Sequence, residues 1–392
     1  MSRRSPRRVP AADAQRASRR KFLGRTAAAA GGVATLTHFP AIAAPPSGLV
    51  LRFQGAWSSK DIFHEYALDF ATKVRDMTGG ELRIQVLPAG AVVPAGGLLN
   101  AVSKGTLDGG HSVLGHHYRQ RSAFALWGAG PAFGMDANLL LAWHKYGGGR
   151  ELLDKLYKSI DVSVVSFPYG PMPTQPLGWF KKPIVRGEDL KGLKLRAVGL
   201  AGEIYAALGA AVSPLPETEI VSALKSGALD AAEYNNASSD RTLGLPEVSR
   251  VCMLQSYHQN AEQFEIIFNR AKYDALPAPM KAIVENAVEA ASADMSWKSI
   301  DRYSQDYADM QQKQGVRFFK TAESILQRQL TAFDEVAEKK AKDEPLFREI
   351  LESQRRFAAR AVKWDLDTNV ERRTAYLHYF SRQAQKKPAR KS

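Results

Sequence analysis

The stretch Ala101-Val-Ser-Lys-Gly105-Thr-Leu-Asp108-Gly-Gly returns nearly residue for residue as Ala223-Leu-Lys-Ser-Gly227-Ala-Leu-Asp230-Ala-Ala. In each copy a helix end meets a glycine, then an aspartate, then small residues entering a strand. The glycine supplies the left-handed turn that ends a helix, and small residues let a strand pass close to its neighbours. Taken alone, the pair could be two independent helix-to-strand turns. Their surroundings argue for more. Before the first copy, Leu49–Gln54 reads as a strand. Ile62, Phe63, Tyr66, Phe70, Val74 and Met77 form a helical stripe over 61–78, closed by Gly79-Gly80. Leu82, Ile84 and Val86 alternate with polar residues up to Pro88, and a short helix over 95–104 leads to a strand at 106–114. Around the second copy, Leu193–Arg196 is a strand, 201–208 and 217–226 are helices, and Ala228–Glu233 is a strand. Two β-α-β-α-β halves imply largely parallel sheets covered by helices, hence two similarly built α/β lobes with a cleft between them.

After about residue 275 the pattern is helical. Leu276-Pro277 precedes a long periodic helix, Gly315–Phe319 is one more strand, and 322–340 and 345–380 read as long helices. Ile350, Phe357, Val362, Trp364, Tyr376 and Tyr379 make an apolar stripe there, which either braces the lobes or packs a partner subunit.

A formal net charge of +14 suggests polyanion binding until the charges are placed. Residues 1–43 hold nine Lys/Arg and a single acid, and the tail from Arg382 holds five bases and no acid, so the body between them is nearly neutral. A nearly neutral body is no phosphate-tracking surface, and no nucleic-acid partner is expected. The leader has its own explanation. Ser18-Arg19-Arg20-Lys21-Phe22-Leu23 resembles the twin-arginine export motif, a weakly apolar run follows, and Ala41-Ile42-Ala43 offers a cleavage site. The expectation is a twin-arginine signal peptide and a periplasmic mature protein.

Catalytic motifs are scarce. G-x-S-x-G, the P-loop and H-E-x-x-H are all missing from the sequence. The single cysteine, Cys252, sits among Val251, Met253 and Leu254 as an inert core thiol. Gly147-Gly148-Gly149 is a helix stop. His111, His116 and His117 are either metal ligands or, as such clusters more often are, cleft lining or surface. More informative are Gln175, where the second half begins, and Arg196 and Glu233, each ending a strand. Ligands of open α/β sheets bind outside the carboxyl ends of strands, and a guanidinium fork suits a carboxylate. An exposed strand-end charge, a loop amide and an Arg196–Glu233 salt bridge remain the structural alternatives.

Several ordered stretches are similar to one family. They are Phe70-Ala-Thr-Lys-Val-Arg-Asp-Met-Thr-Gly-Gly-Glu-Leu-Arg-Ile-Gln-Val-Leu-Pro-Ala-Gly90, Pro131–Met135, Gln175-Pro-Leu-Gly-Trp-Phe-Lys-Lys-Pro-Ile184, Glu188–Arg196, Gly227–Tyr234 and Leu276–Ile283. Over roughly 49–320 the chain resembles solute-binding proteins of tripartite ATP-independent periplasmic (TRAP) transporters, in the branch for 2-oxo acids and related monocarboxylates. The resemblance implies an α/β, two-lobed periplasmic-binding-protein fold with a long helical C-terminal region. The implied domains are a signal peptide (1–43), lobe I (44–173 plus about 262–305), lobe II (174–261 plus about 306–345), a C-terminal helix (346–381) and a basic tail (382–392).

It further implies that Arg196 meets the substrate carboxylate and that Gln175, Glu233 and the Tyr234 carbonyl hold a cation, sodium or calcium, bridging to the substrate. No organic cofactor is implied. Trp57, Tyr118, Trp179 and Tyr234 are cleft-lining candidates, with Gln175, Arg196, Tyr118 and Tyr234 as substrate-binding residues. The partners implied are a small organic carboxylate, TRAP membrane permease subunits and a second copy in a homodimer. The sequence departs from the branch at Tyr234, where tryptophan is usual, in Asn235–Asp240, and at Tyr257–Asn260, which lacks a Pro-Gly pair. A cation also has a physical rationale: Glu233 beside a substrate carboxylate is a like-charge pair that Arg196 only half compensates. Pairing with Arg196 alone, or protonation, would be the simpler fate of Glu233. The contrasting reading is an exported enzyme acting on small organic acids.

Overall fold

The computed structural model describes residues 48–381. The twin-arginine motif, the cleavage site and the basic tail from Arg382 lie outside the described residues. The chain begins with β1 (Leu49–Gly55), α1 (Ile62–Met77), β2 (Leu82–Leu87), α2 (Leu98–Ser103), β3 (Gly109–Val113), α3 (Ala137–Tyr146), α4 (Gly149–Lys158) and β4 (Val164–Met172). It continues through β5 (Gly178–Phe180), β6 (Lys194–Arg196), α5 (Gly199–Ala207), β7 (Ala211–Ser213), α6 (Glu217–Ser226), β8 (Ala231–Ala232), α7 (Ala237–Leu243), α8 (Leu245–Val248) and β9 (Val251–Leu254). It ends with β10 (Glu262–Asn269), α9 (Arg270–Asp274), α10 (Ala278–Lys313), β11 (Arg317–Lys320), α11 (Glu323–Asp343), α12 (Pro345–Thr368) and α13 (Arg372–Phe380).

Two sheets organise the described residues, in the orders β2-β1-β3-β10-β4 and β11-β9-β5-β8-β6-β7. The chain crosses between them at 173–177, at 255–261 and again along α10. The recurring segment has the same structure in both. Gly105 and Gly227 are left-handed, at φ 74° and 77°. Asp108 accepts the Arg52 N–H of β1 at 2.8 Å, and Asp230 accepts the Lys194 N–H of β6 at 3.2 Å. Each aspartate thereby fixes where its strand starts pairing, and β3 and β8 then run parallel to β1 and β6. Close approach explains the small residues: a Cβ on Gly109 would stand 2.1 Å from the Phe53 ring.

The sheets are mixed rather than largely parallel. β10 pairs antiparallel with β3 and β4, and β5 pairs antiparallel with β8 and β9. β5 and β10 are the strands entered directly from the other sheet, without a crossover helix to return the chain to a parallel course. The expected strand over 228–233 is reduced to Ala231–Ala232, because Leu229 still belongs to the helix-ending turn, donating to the Ala223 carbonyl at 3.0 Å.

The first lobe has one large core in which Phe53, Phe63, Phe264 and Phe268 meet edge to face. Burying each such ring stabilises by about 1.5–3 kcal/mol relative to exposure. The second sheet has a cluster on each face, and adjacent residues of β5 divide between them: Phe180 packs with Leu195 and Tyr205, Trp179 with Ile220 and Cys252. Burial pushes the Cys252 thiol well above its ordinary pKa.

The helix expected over 345–380 is broken. Four weak helix formers in a row, Asp367-Thr368-Asn369-Val370, end α12, and Glu371 restarts the helix by accepting the Arg373 N–H. Phe347, Ile350 and Phe357 of α12 are buried against the first lobe. Trp364, Tyr376 and Tyr379 are exposed. Among the described residues no helix is long and apolar enough to cross a membrane.

Candidate functional site

The crossovers are joined where the Gln175 N–H donates to the Gln259 carbonyl at 3.2 Å. Above this junction lies a cavity of about 570 Å³, lined from both sheets by Trp57, His116, Gln175, Arg196, Glu233 and Glu262, among others. Parallel pairing of β6 with β8 sets Arg196 opposite Ala232, so Glu233 emerges beside it at the carboxyl ends of both strands.

Arg196 is only 7% exposed. Its Nε donates to the Leu215 carbonyl at 3.0 Å, and its Nη1 to the Glu233 carbonyl at 3.1 Å and carboxylate at 2.9 Å. Its Nη2 has no hydrogen-bond partner among the described residues. The salt-bridge alternative for Glu233 is therefore part of the structure, and it leaves one edge of the guanidinium for something else. Burial raises the pKa of Glu233 despite the opposing pull of Arg196. Tyr234 follows, its ring 5.9 Å from the guanidinium and its hydroxyl donating to Glu217 at 2.5 Å.

Gln175 is held in one orientation. Its Nε2 donates to Asn235 Oδ1 at 3.2 Å and its Oε1 pairs with His258 Nε2 at 3.1 Å. His258 is in turn bonded through Nδ1 to the hydroxyls of Ser256, at 2.5 Å, and Tyr205, at 3.1 Å. Burial lowers the His258 pKa to about 3, so the ring is neutral, and its Nε2–H directs the Gln175 oxygen.

Several expected residues sit elsewhere. Trp179 is in the core of the second lobe, its indole donating to Asp240 at 2.7 Å. The Tyr118 hydroxyl donates to Glu203, and Lys340 lies 5.2 Å over its ring. Tyr118 reaches the cavity only through Gly199, a wall residue against which its ring packs. The three histidines diverge. His111 bonds Tyr169 at 2.7 Å, His117 bonds Glu265 on the other face of β10, and His116 alone opens onto the cavity. His116 is itself exposed there, bonded through Nδ1 to the Ser112 hydroxyl at 3.0 Å, and partial loss of hydration, then the neighbouring His117, lower its pKa.

Glu262 was not among the expected site residues. It begins β10 and is pushed up to about 8, first by burial and then by Glu233. A sequence signal exists: Glu262, Gln263 and Glu265 interrupt the apolar residues of Ala261-Glu-Gln-Phe-Glu-Ile-Ile-Phe268, and an acid in a buried strand needs a reason.

The donors fit a hard cation. The Glu233 carboxylate, the Gln175 amide oxygen and the Tyr234 carbonyl are all oxygen donors around an arginine that cannot balance both Glu233 and an incoming anion. No group of three His, Cys, Asp or Glu is placed to hold a metal among the described residues, so a cation here would rest on this mixed set.

Two α/β lobes around a buried arginine and carboxylates define a receptor for small acids rather than a catalytic centre. The comparisons agree. Residues 53–343 match the family of bacterial extracellular solute-binding proteins, family 7 (DctP). The monocarboxylate 2-oxoacid-binding periplasmic protein of Nostoc sp. is 30% identical over 296 residues, covering 75% of this chain and 80% of that protein. Solved TRAP periplasmic solute-binding proteins include that of Colwellia psychrerythraea, with bound calcium and pyruvate. It is 28% identical, with a TM-score of 0.77 over 85% of this chain and 100% of that one. That of Pseudoalteromonas atlantica, with bound sodium and pyruvate, is also 28% identical, with a TM-score of 0.77 over 85% and 99%. The chain belongs to this DctP family: it is a periplasmic solute-binding protein of a TRAP transporter, and the exported-enzyme reading falls away.

Proposed function

We propose that this receptor captures a small 2-oxo monocarboxylate between its lobes and delivers it to TRAP membrane permease subunits. The carrying observation is Arg196, buried at a strand end with Nε and Nη1 anchored and Nη2 without a partner among the described residues. An arginine fixed on two edges has already lost its side-chain entropy and offers the third at little further cost. Because Nε is taken, the carboxylate is gripped from one edge only, and a cation completes the hold. Sodium or calcium, on Gln175, Glu233 and the Tyr234 carbonyl, supplies the positive charge that brings two carboxylates together. Tyr234 also lines the substrate space, and Tyr118 supports the wall at Gly199. The pyruvate ligands and the cations of the Colwellia and Pseudoalteromonas proteins favour this reading.

Closure is a hinge motion of the two lobes about the crossovers, with boundaries near 173 and 261. The far half of α12 and α13 is a dimer surface for a second copy. A groove of about 460 Å³ lined by Phe133, Arg355, Val362 and Leu366 adjoins the exposed Trp364. Groove and aromatic stripe on one element suit an isologous interface.

Native mass spectrometry of the mature protein, with calorimetric titration of pyruvate in sodium, calcium or chelator, tests the assignment. Expected are a co-purified acid, pyruvate binding and its loss on cation removal. Absence of binding to pyruvate and longer 2-oxo acids in every cation condition would overturn it.

A further inference from the structure

One buried group in the cleft, Glu262, takes no part in holding the carboxylate or the cation. Glu262 is 8% exposed and lines the cavity from the first lobe, across from Arg196 and Glu233. Its Oε2 accepts from Gln259 Nε2 at 2.6 Å. Its Oε1 has no partner among the described residues. Among the described residues no lysine or arginine pairs with it, and Arg196 is committed to Glu233.

Space has been left for this side chain. A Cβ on Gly128 would stand 2.9 Å from Glu262 Cγ and 3.2 Å from Oε1, and one on Gly115 would stand 3.5 Å from Oε1. The φ of Gly128 is −164°, extended backbone that any residue adopts, so this glycine supplies room rather than conformation. Two glycines and an oriented amide therefore hold a carboxyl group with one oxygen turned to the cavity.

Ionised, Glu262 would add a third negative charge to a cleft that already holds Glu233 and admits an anion. Burial and Glu233 both oppose that ionisation. Its one anchored oxygen accepts from Gln259, which suits the carbonyl oxygen of a carboxylic acid and leaves Oε1 as the hydroxyl. A donor that ligand entry cuts off from water is costly to leave unpaired, which favours a ligand that brings an acceptor.

We propose that Glu262 is a specificity-determining residue that donates a hydrogen bond from Oε1 to the oxo oxygen of the bound acid. This rests on the carboxylate-capture reading and names the feature that separates a 2-oxo acid from the corresponding simple fatty acid. Arg196 and the cation recognise charge, which both acids share. Glu262 recognises the carbonyl, which only one possesses. The donor belongs to the first lobe and the charge site to the second, so a 2-oxo acid engages both lobes and rewards closure.

The test is calorimetric titration of the full mature protein with pyruvate and with propionate, its analogue lacking the oxo group. Wild type, Glu262→Gln, Glu262→Leu and Arg196→Ala are compared, with thermal melts to check folding. Wild type should prefer pyruvate by about tenfold or more, the scale of one net hydrogen bond. Glu262→Gln keeps an uncharged N–H donor and should retain most of the preference. Glu262→Leu should bind both acids with similar affinity, losing about tenfold for pyruvate only. Undiminished preference in Glu262→Leu, or equal loss in the Gln and Leu variants, would overturn the role of Glu262 while leaving capture intact. Failure of the capture reading looks different: Arg196→Ala would then bind pyruvate like wild type, or wild type would bind neither acid.

Discussion

Glu262 and Glu265 stand three residues apart on β10, both buried, in opposite circumstances. Glu265 is surrounded by donors: His117 on one oxygen, and on the other Tyr157 at 2.5 Å and Ser166 at 2.8 Å. Burial alone would raise its pKa, but His117 and the two hydroxyls outweigh it and hold the carboxyl below its ordinary range. Glu262 has one amide partner and lies raised, as does Glu233 across the cleft. The structural acid is fully paired within the chain. The cleft acids are left short of partners, and that shortfall is what a ligand and a cation can fill.

The largest expected effect on capture is that of Arg196→Ala. Removing one partner of a buried charge pair costs about 2–5 kcal/mol of binding, so pyruvate affinity should fall by about a hundredfold. Glu233, relieved of its partner, takes up a proton and the fold survives. A dissociation constant within threefold of wild type would end the assignment of Arg196.

Next comes a crossed pair of substitutions that tests the contrast directly. Glu265→Gln should lose about 3 kcal/mol of stability in urea unfolding, because His117, Tyr157 and Ser166 lose the charge they surround. Its ligand affinity, corrected for the folded fraction, should be unchanged. Glu233→Gln should also lose about 3 kcal/mol of stability, because the buried Arg196 is left without its partner, but unlike Glu265→Gln it should lower pyruvate affinity at least tenfold and abolish its dependence on the cation. Equal losses of pyruvate affinity in both variants would erase the distinction between structural and cleft acids.

A smaller effect follows from pH. The pKa of Glu262 in the fold, about 8, lies above its ordinary 4.5. Its contribution to stability is therefore whole below about 4.5 and is lost as pH rises through about 8. Facing it in the cleft are Glu233 and Arg196 from the strand ends, His116 beside β3, and Glu217 at the start of α6. His116 is neutral throughout this range, so ionisation of Glu262 adds uncompensated negative charge. Pyruvate affinity should decline severalfold between pH 7 and 9. Glu262→Gln should flatten that slope, and an unchanged slope would assign it to another group.

What the sequence disclosed follows the same division. Gly105 and Gly227, with Asp108 and Asp230, are local devices, and their turns and strand entries are local consequences. The cleft positions of Arg196 and Glu233 were legible because Arg196 ends a strand and Glu233 directly follows one, and strand ends are where ligands bind. Glu262 has no telltale spacing. Its meaning depends on Gly115 and Gly128, more than a hundred residues earlier, brought beside it by β3 and the turns after it. Trp179 and Tyr118 misled because an aromatic residue near a site motif carries no record of which face it takes. Trp179 faces the core, whereas its neighbours on the strand ends face the cleft. The antiparallel course of β5 and β10 was likewise hidden, since it depends on the sheet the chain enters next.

The stripe on α12 and α13 should have the smallest effect on capture. Ile350 and Phe357 are buried against the first lobe, while Trp364, Tyr376 and Tyr379, read from the same periodicity, are exposed at 64%, 63% and 65%. Identical sequence pattern thus has two outcomes, set by whether the lobe extends beneath the helix. Aromatic rings left in water at that density are characteristic of interfaces. Replacing all three with serine should convert a dimer to a monomer in native mass spectrometry while leaving the pyruvate dissociation constant within twofold, because the stripe is far along the chain from the cleft residues and shares no partner with them. A mass unchanged by the triple substitution would remove the stripe from the interface. A monomer with weakened binding would join the two regions, making the partner copy part of the closing motion and not only of the assembly.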